Sequence, residues 1–173
     1  MRQLIAVMLL CSAQMAGAQA LKNHNSNAPV DVAADRIEVQ DRANRAVFAG
    51  NVHVVQEGLI MDASRLTVAY ASASGGGNPS IQRLDATGGV TVKSADQTAR
   101  GNNAIYDLNR RIITMLGGVT LVQGGNTVRG GRLVIDLNSG RSVIDGSAAG
   151  GATVTGQGGR VTGRFTVPQR TGN

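Results

Sequence analysis

Three segments of the chain repeat the pattern Gly-x-Val-x-aliphatic: Gly50-Asn51-Val52-His53-Val54, Gly88-Gly89-Val90-Thr91-Val92 and Gly117-Gly118-Val119-Thr120-Leu121. At one fixed distance from each leading Gly comes a second motif: Ala63-Ser64-Arg65-Leu66-Thr67-Val68, Gly101-Asn102-Asn103-Ala104-Ile105-Tyr106 and Gly130-Gly131-Arg132-Leu133-Val134-Ile135. A half-copy, Ala34-Asp35-Arg36-Ile37-Glu38-Val39, precedes the first. The stretches from Val39 to Gly50, Tyr106 to Gly117 and Ile135 to Gly146 are equal, and only Val68 to Gly88 is longer, because it holds the loop Gly75-Gly76-Gly77-Asn78-Pro79. Such a register constrains architecture more than any single residue. Each unit has an apolar face it cannot cover alone, and stacking the units covers it.

Within the units the apolar residues alternate. Val30 and Val32 flank Asp31, Ile37 and Val39 flank Glu38, and Val52 and Val54 flank His53, which predicts half-buried strands. After the N-terminal run no stretch has helical periodicity, and turn-forming Gly, Asn and Asp recur about every ten residues. Each unit reads as a pair of short strands, with Gly-rich turns at the corners. The fold class is all-β: an antiparallel, open sheet folded over on itself, a taco-like jelly-roll. Phe48, Met115 and Ile144 form one expected inward ladder, and Val39, Val68, Tyr106 and Ile135 another. Val30, Val32, Ile37, Val52, Val54, Leu66, Val90, Val92, Val119, Leu121 and Leu133 complete the expected enclosed set.

Hydrophobic residues make up 42% of the 173 and charged ones 16%, which excludes a low-hydrophobicity disordered chain and a coiled coil. The aromatics are only Phe48, Phe165, Tyr70 and Tyr106 against 24 glycines, so small aliphatic side chains must build the core.

Arg2, the apolar run Leu4-Ile5-Ala6-Val7-Met8-Leu9-Leu10 and the closing Ala18-Gln19-Ala20 have the order of a secretory signal over residues 1–20, with cleavage expected after Ala20. A membrane span needs about 18 consecutive apolar residues, and Ser12 and Gln14 interrupt this run. Cys11 is preceded by Met8, Leu9 and Leu10, where a lipobox requires small residues. Cleavage removes this only Cys, so the mature chain is expected to be exported without disulfides, as suits a bacterial periplasm or surface. Residues 21–28, Asn-rich ahead of Pro29, read as a flexible leader, and residues 29–149 as the β-domain. The Gly-rich residues 150–173, with candidate strands at 152–155 and 164–167, read as a partly ordered tail.

Little here supports catalysis, and no catalytic residue, metal ligand or cofactor is expected. The histidines, His24 and His53, fall in the leader and at an outward strand position, and no carboxylate cluster joins them at metal-ligand spacing. The pairs Asp31/Asp35 and Asp136/Asp145 suit local turn hydrogen bonding better than acid and base roles. No Gly-x-x-x-x-Gly-Lys-Ser/Thr occurs, and no helix follows a glycine cluster. The net charge of +6, from 15 arginines and two lysines, is compatible with nucleic acid, but export and the scarcity of stacking aromatics argue against that partner.

The run Arg45-Ala46-Val47-Phe48-Ala49-Gly50-Asn51-Val52-His53-Val54-Val55-Gln56, followed by Met61-Asp62-Ala63-Ser64-Arg65-Leu66, resembles the OstA-like family of periplasmic lipopolysaccharide-transport proteins. Ala86-Thr87-Gly88-Gly89-Val90, Ala104-Ile105-Tyr106-Asp107 and Leu116-Gly117-Gly118-Val119 extend the resemblance over residues 29–149. The resemblance implies a jelly-roll open along one side whose apolar interior, here the enclosed set named above, holds the acyl chains of lipopolysaccharide. It also implies head-to-tail self-association and a bridge, in a Gram-negative periplasm, from an inner-membrane-anchored OstA-like subunit to the outer-membrane translocon. The cleavable signal and the length distinguish the chain from those two relatives, which share the fold. The Gly-rich tail and the low aromatic content depart from the family pattern.

Two readings of the residues stay open beside this one. Arg36, Arg65 and Arg132 repeat in register, either as contacts to lipid phosphates, which a guanidinium matches bidentately, or as a solvated strand face. The inward ladders suit a lipid groove or a filled core, the latter making the chain a structural β-solenoid filament or surface adhesin segment. The terminal strands, near Val30–Val39 and Gly140–Val154, carry neither a lysine run nor a mid-strand proline, so they are expected to accept other strands in an open-ended series.

Overall fold

The computed structural model describes residues 24–71, 79–146 and 159–166. The expected signal peptide and the candidate strand at 152–155 lie outside the described residues. Those described form one antiparallel sheet of ten strands and a single 3-10 turn, Asp41–Ala43. Strands β1 (Asp31–Ala33) and β2 (Arg36–Gln40) both pair with β3 (Arg45–Gln56), on opposite halves of its length. Then come β4 (Leu59–Ala71), β5 (Ser80–Lys93), β6 (Gln97–Asp107), β7 (Ile112–Gln123) and β8 (Asn126–Asp136), each hydrogen-bonded to the one before. Finally, β9 (Arg141–Asp145) and β10 (Thr162–Arg164) pair with opposite halves of β8. The first and last strands do not meet, so the sheet is open and is not a barrel.

The strands are longer than expected, and the repeated glycines lie within them rather than at their ends. From β3 to β8 each strand has 11 to 14 residues. The leading glycine and its neighbour sit mid-strand at positive φ: 79° and 43° at Gly50 and Asn51, 85° and 79° at Gly88 and Gly89, 83° and 63° at Gly117 and Gly118. At each pair the register shifts, between Ala49 and Val52, Thr87 and Val90, and Leu116 and Val119. A bulge bends its strand and adds twist, and bulges recurring on every second strand align the bends into one line across the sheet. Along that line the sheet folds into two facing halves, the taco-like jelly-roll.

The second motif of each unit completes the fold line. Asp35, Ser64 and Asn102, equivalent positions of the repeat, lie against Gly50, Gly88 and Gly117 where a side chain would otherwise project. The Asp35 amide donates to the Gly50 carbonyl (2.9 Å), and Asn51 Nδ2 donates to Asp35 Oδ2 (2.9 Å).

The core lies between the halves. Leu66, Leu84, Tyr106, Ile113, Met115, Leu133 and Ile135 are wholly buried, and Val52, Val54, Met61, Val90, Val92 and Val119 nearly so. Burying each such side chain stabilises the fold by roughly 1.5–3 kcal/mol. Part of the expected leader is described. Residues 24–28 form a turn, with Ser26 N–H donating to His24 O (3.1 Å) and Ala28 N–H to Asn25 O (3.0 Å). Gln56, at the end of β3, anchors that turn through two backbone carbonyls, which a polar composition does not reveal.

Candidate functional site

Antiparallel partners point to the same side of a sheet, so the register defines the inner face row by row. One row runs Ile37, Phe48, Leu66, Ala86, Ala104, Met115, Leu133, Ile144 from β2 to β9. The next runs Val39, Ala46, Val68, Leu84, Tyr106, Ile113, Ile135. Across the fold line a third runs Val32, Val54, Met61, Val92, Ala99, Leu121, Val128. Val52, Val90 and Val119 line the bulges, and Val30 packs against the core just before β1. Each of these rows is apolar along its length, and the first runs from β2 to β9.

Alternation did not single out Leu59, Leu84, Ala86, Ala99, Ala104, Ile113 or Leu137, all buried in the same core. Leu84 and Ile113 keep period two with Ala86 and Met115, a signal within reach of the repeat alignment. Leu59 and Leu137 border turns, and only the closure of the halves buries them.

Cover varies along the face. Beside β1 it is packed: the space bounded by Val30, Val54, Gln56, Leu59, Met61, Leu84 and Tyr106 holds about 10 Å³. At the β2 edge the face is open to solvent, and Ile37 and Val39 are 55% and 57% exposed although they continue the inner rows. Toward β9 the rims of the halves part around a cavity of about 350 Å³, lined by Gln97, Leu121 and Gln123 on one side and Ser139, Gly140, Arg141 and Ser142 on the other.

Two buried glutamines, Gln56 and Gln97, interrupt the apolar packing. Gln56, only 2% exposed, accepts a hydrogen bond at Oε1 from the Tyr106 hydroxyl (2.8 Å), and His24 Nε2 lies 3.1 Å from the same oxygen. Burial pushes the Tyr106 phenol above its ordinary 10, against smaller opposing effects of Ser26 and Arg111.

The candidate phosphate-contacting arginines lie elsewhere. Arg36, Ala49, Arg65, Thr87, Asn103, Leu116, Arg132 and Asp145 form a row adjacent to the first inner one and therefore face outward. Arg36 and Arg65 are exposed there, and Arg132 Nη1 lies 3.7 Å from Asp145 Oδ2. The thickness of the sheet separates all three from the apolar interior. His53 also faces outward, with Nδ1 2.7 Å from Asp62 Oδ1, while Lys93 Nζ lies 3.0 Å from Asp62 Oδ2. Partial burial raises the Asp62 carboxyl, but the bonds and charges of His53 and Lys93 outweigh it and hold the group below its usual 3.8. Among the described residues no group of three or more His, Cys, Asp or Glu is placed to hold a metal ion.

An open antiparallel sheet, folded along a line of bulges around an apolar interior, defines the class of open β-jelly-roll scaffolds. Residues 31–141 match the family described as LptA/(LptD N-terminal domain) LPS transport protein, and the chain belongs to it. The crystal structure of LptH, the LptA-homologous periplasmic component of the lipopolysaccharide transport device from Pseudomonas aeruginosa, superposes with a TM-score of 0.70 at 20% identity, covering 82% of this chain and 98% of that one. An uncharacterised protein, R00383, of Rhizobium meliloti (strain 1021) is 32% identical over 115 residues, which span 65% of this chain and 61% of the relative's length.

Proposed function

We propose that this periplasmic protein is a carrier that shields the acyl chains of lipopolysaccharide along the inner face of its folded sheet, and passes the lipid from an inner-membrane-anchored OstA-like subunit to the outer-membrane translocon. The observation that carries the reading is the apolar row from Ile37 to Ile144, running from β2 to β9 and exposed at the edge that bears Ile37 and Val39. Each methylene withdrawn from water contributes roughly 0.8 kcal/mol, so a lipid with several acyl chains crosses an aqueous space only under continuous cover. Head-to-tail pairing of terminal strands would join the inner faces of successive copies into one such cover. The outward position of Arg36, Arg65 and Arg132 favours a solvated face over contact with lipid phosphates.

The tightly packed interior beside β1 favours a second reading, a structural β-element with a filled core. Photocrosslinking separates the two. Photoreactive residues at Val32, Phe48, Val52 and Tyr106 should label lipopolysaccharide, whereas His53, on the outer face, should label poorly. Equal labelling at Val52 and His53 would sink the assignment of the inner face, and no labelling anywhere would favour the filled core.

A further inference from the structure

We propose that residues 24–30 are a displaceable strap sealing the β1 end of the seam between the two halves, and that an acyl chain reaches the interior there only when the strap leaves Gln56. The inference rests on the lipid-carriage reading and concerns how that site is opened.

The strap joins one half of the sheet to the other. It leaves β1 at Val30, beside the end of β3, and Gln56 Nε2 donates to the carbonyls of Ser26 (3.1 Å) and Ala28 (2.9 Å). Across the seam Arg111, in the turn between β6 and β7, donates from Nη2 to Asn27 Oδ1 (3.2 Å). Gln56 Oε1 meanwhile accepts from Tyr106 of the opposite half. Gln56 is therefore a clasp, with its amide nitrogen on the strap and its amide oxygen on the facing wall.

What lies beneath the strap is apolar and closed. Val30, Leu59, Met61, Leu84 and Tyr106 enclose only about 10 Å³ around this node. A space of that size accommodates one water and no hydrocarbon chain. At the other end of the seam the rims part around a cavity of about 350 Å³, whereas at the β1 end the strap closes over the interior. Polar bonds hold the strap, and its main apolar anchor is Val30, so its release exposes little apolar surface. An acyl chain taking its place buries several methylenes and returns the freed carbonyls to water, so the exchange favours opening when lipid is present and closure when it is absent.

The test follows uptake of a fluorescent fatty acid and of purified lipopolysaccharide by the mature chain, in stopped flow, with amide hydrogen exchange read in parallel. Gln56→Leu, and separately deletion of residues 21–28, should accelerate uptake by about fivefold or more and tighten binding, because the closed state no longer competes. In the wild-type protein, lipopolysaccharide should deprotect the amides of Ser26 and Ala28, because their bonds to His24 and Asn25 close a turn that docking on Gln56 holds in place. Unchanged uptake in the strap deletion, or strap amides still protected with lipid bound, overturns the strap while leaving carriage intact. Failure of wild type and both variants to bind either probe removes carriage and the strap together. The deletion leaves every strand in place, so it remains decisive if Gln56→Leu fails to fold.

Discussion

The hydroxyl of Ser64 donates a 2.6 Å hydrogen bond to the carbonyl of Gly88, fastening β4 to the bulge of β5. A side-chain carbon built on Gly88 would lie 2.7 Å from Ser64 Cβ, whereas one built on Gly89, also at positive φ, would meet nothing within 4 Å. Gly88→Ala and Gly89→Ala therefore share a backbone cost and differ by a steric one. The first should destabilise more, by roughly 1–3 kcal/mol beyond the second, as expected for overpacking. Thermal unfolding followed by circular dichroism measures the gap; equal melting temperatures would mean that the bulge relaxes freely.

Leu133 and Ile37 share one inner row and differ in cover, being wholly buried and 55% exposed respectively. Leu133→Ala should cost about 2–5 kcal/mol through the cavity it leaves. Ile37→Ala should change stability by less than about 0.5 kcal/mol and should weaken lipid labelling at the β2 edge. Urea unfolding paired with photocrosslinking tests both halves of this statement, and a large stability loss at Ile37 would show that the edge is covered in solution.

Acid should loosen two outward sites. Hydrogen bonds from Ser139, then from Asn138, hold the Asp136 carboxyl below 3.8, and Asp62 is held low by His53 and Lys93 against the opposing effect of burial. A carboxylate whose folded value is lowered contributes stability that is present above the unfolded value and lost as pH falls through the folded one. Asp136→Asn should thus be less stable than wild type near neutrality, and the difference should close as the solution is acidified below 3.8. Urea midpoints across pH measure it; a gap that persists in strong acid would assign the effect to shape rather than charge.

Truncation after Gly140 removes β9 and β10 and leaves β8 as the bare edge. If the terminal strands carry the bridge, the full chain should form larger assemblies as concentration rises. The truncated chain should then scatter as a monomer and keep its binding to the inner-membrane subunit. Light scattering across a concentration series decides this, and a full-length monomer throughout, with no binding to either partner, would reduce the protein to an isolated carrier.

Much of the fold was legible because alternation and repeat spacing are local properties. The period-two pattern about Asp31, Glu38 and His53 marks which side chains share a face, and the equal spacing of the units sets which strands neighbour one another. Spacing alone places the glycines at corners between strands, yet Gly50, Gly88 and Gly117 bend strands in their middles. Spacing shows where a chain bends but not whether its backbone hydrogen bonding resumes beyond the bend.

By itself, the sequence determined an all-β sheet with one continuous apolar face, because side-chain direction in a strand depends only on the parity of position. The tertiary structure decided how that face is covered. The angle at the bulge line and the meeting of Gln56 with Tyr106 depend on contacts between residues 50 positions apart. The docking of residues 24–28 and the exposure of Ile37 and Val39 depend likewise on which strand lies opposite, and no local pattern encodes the position of an opposing wall.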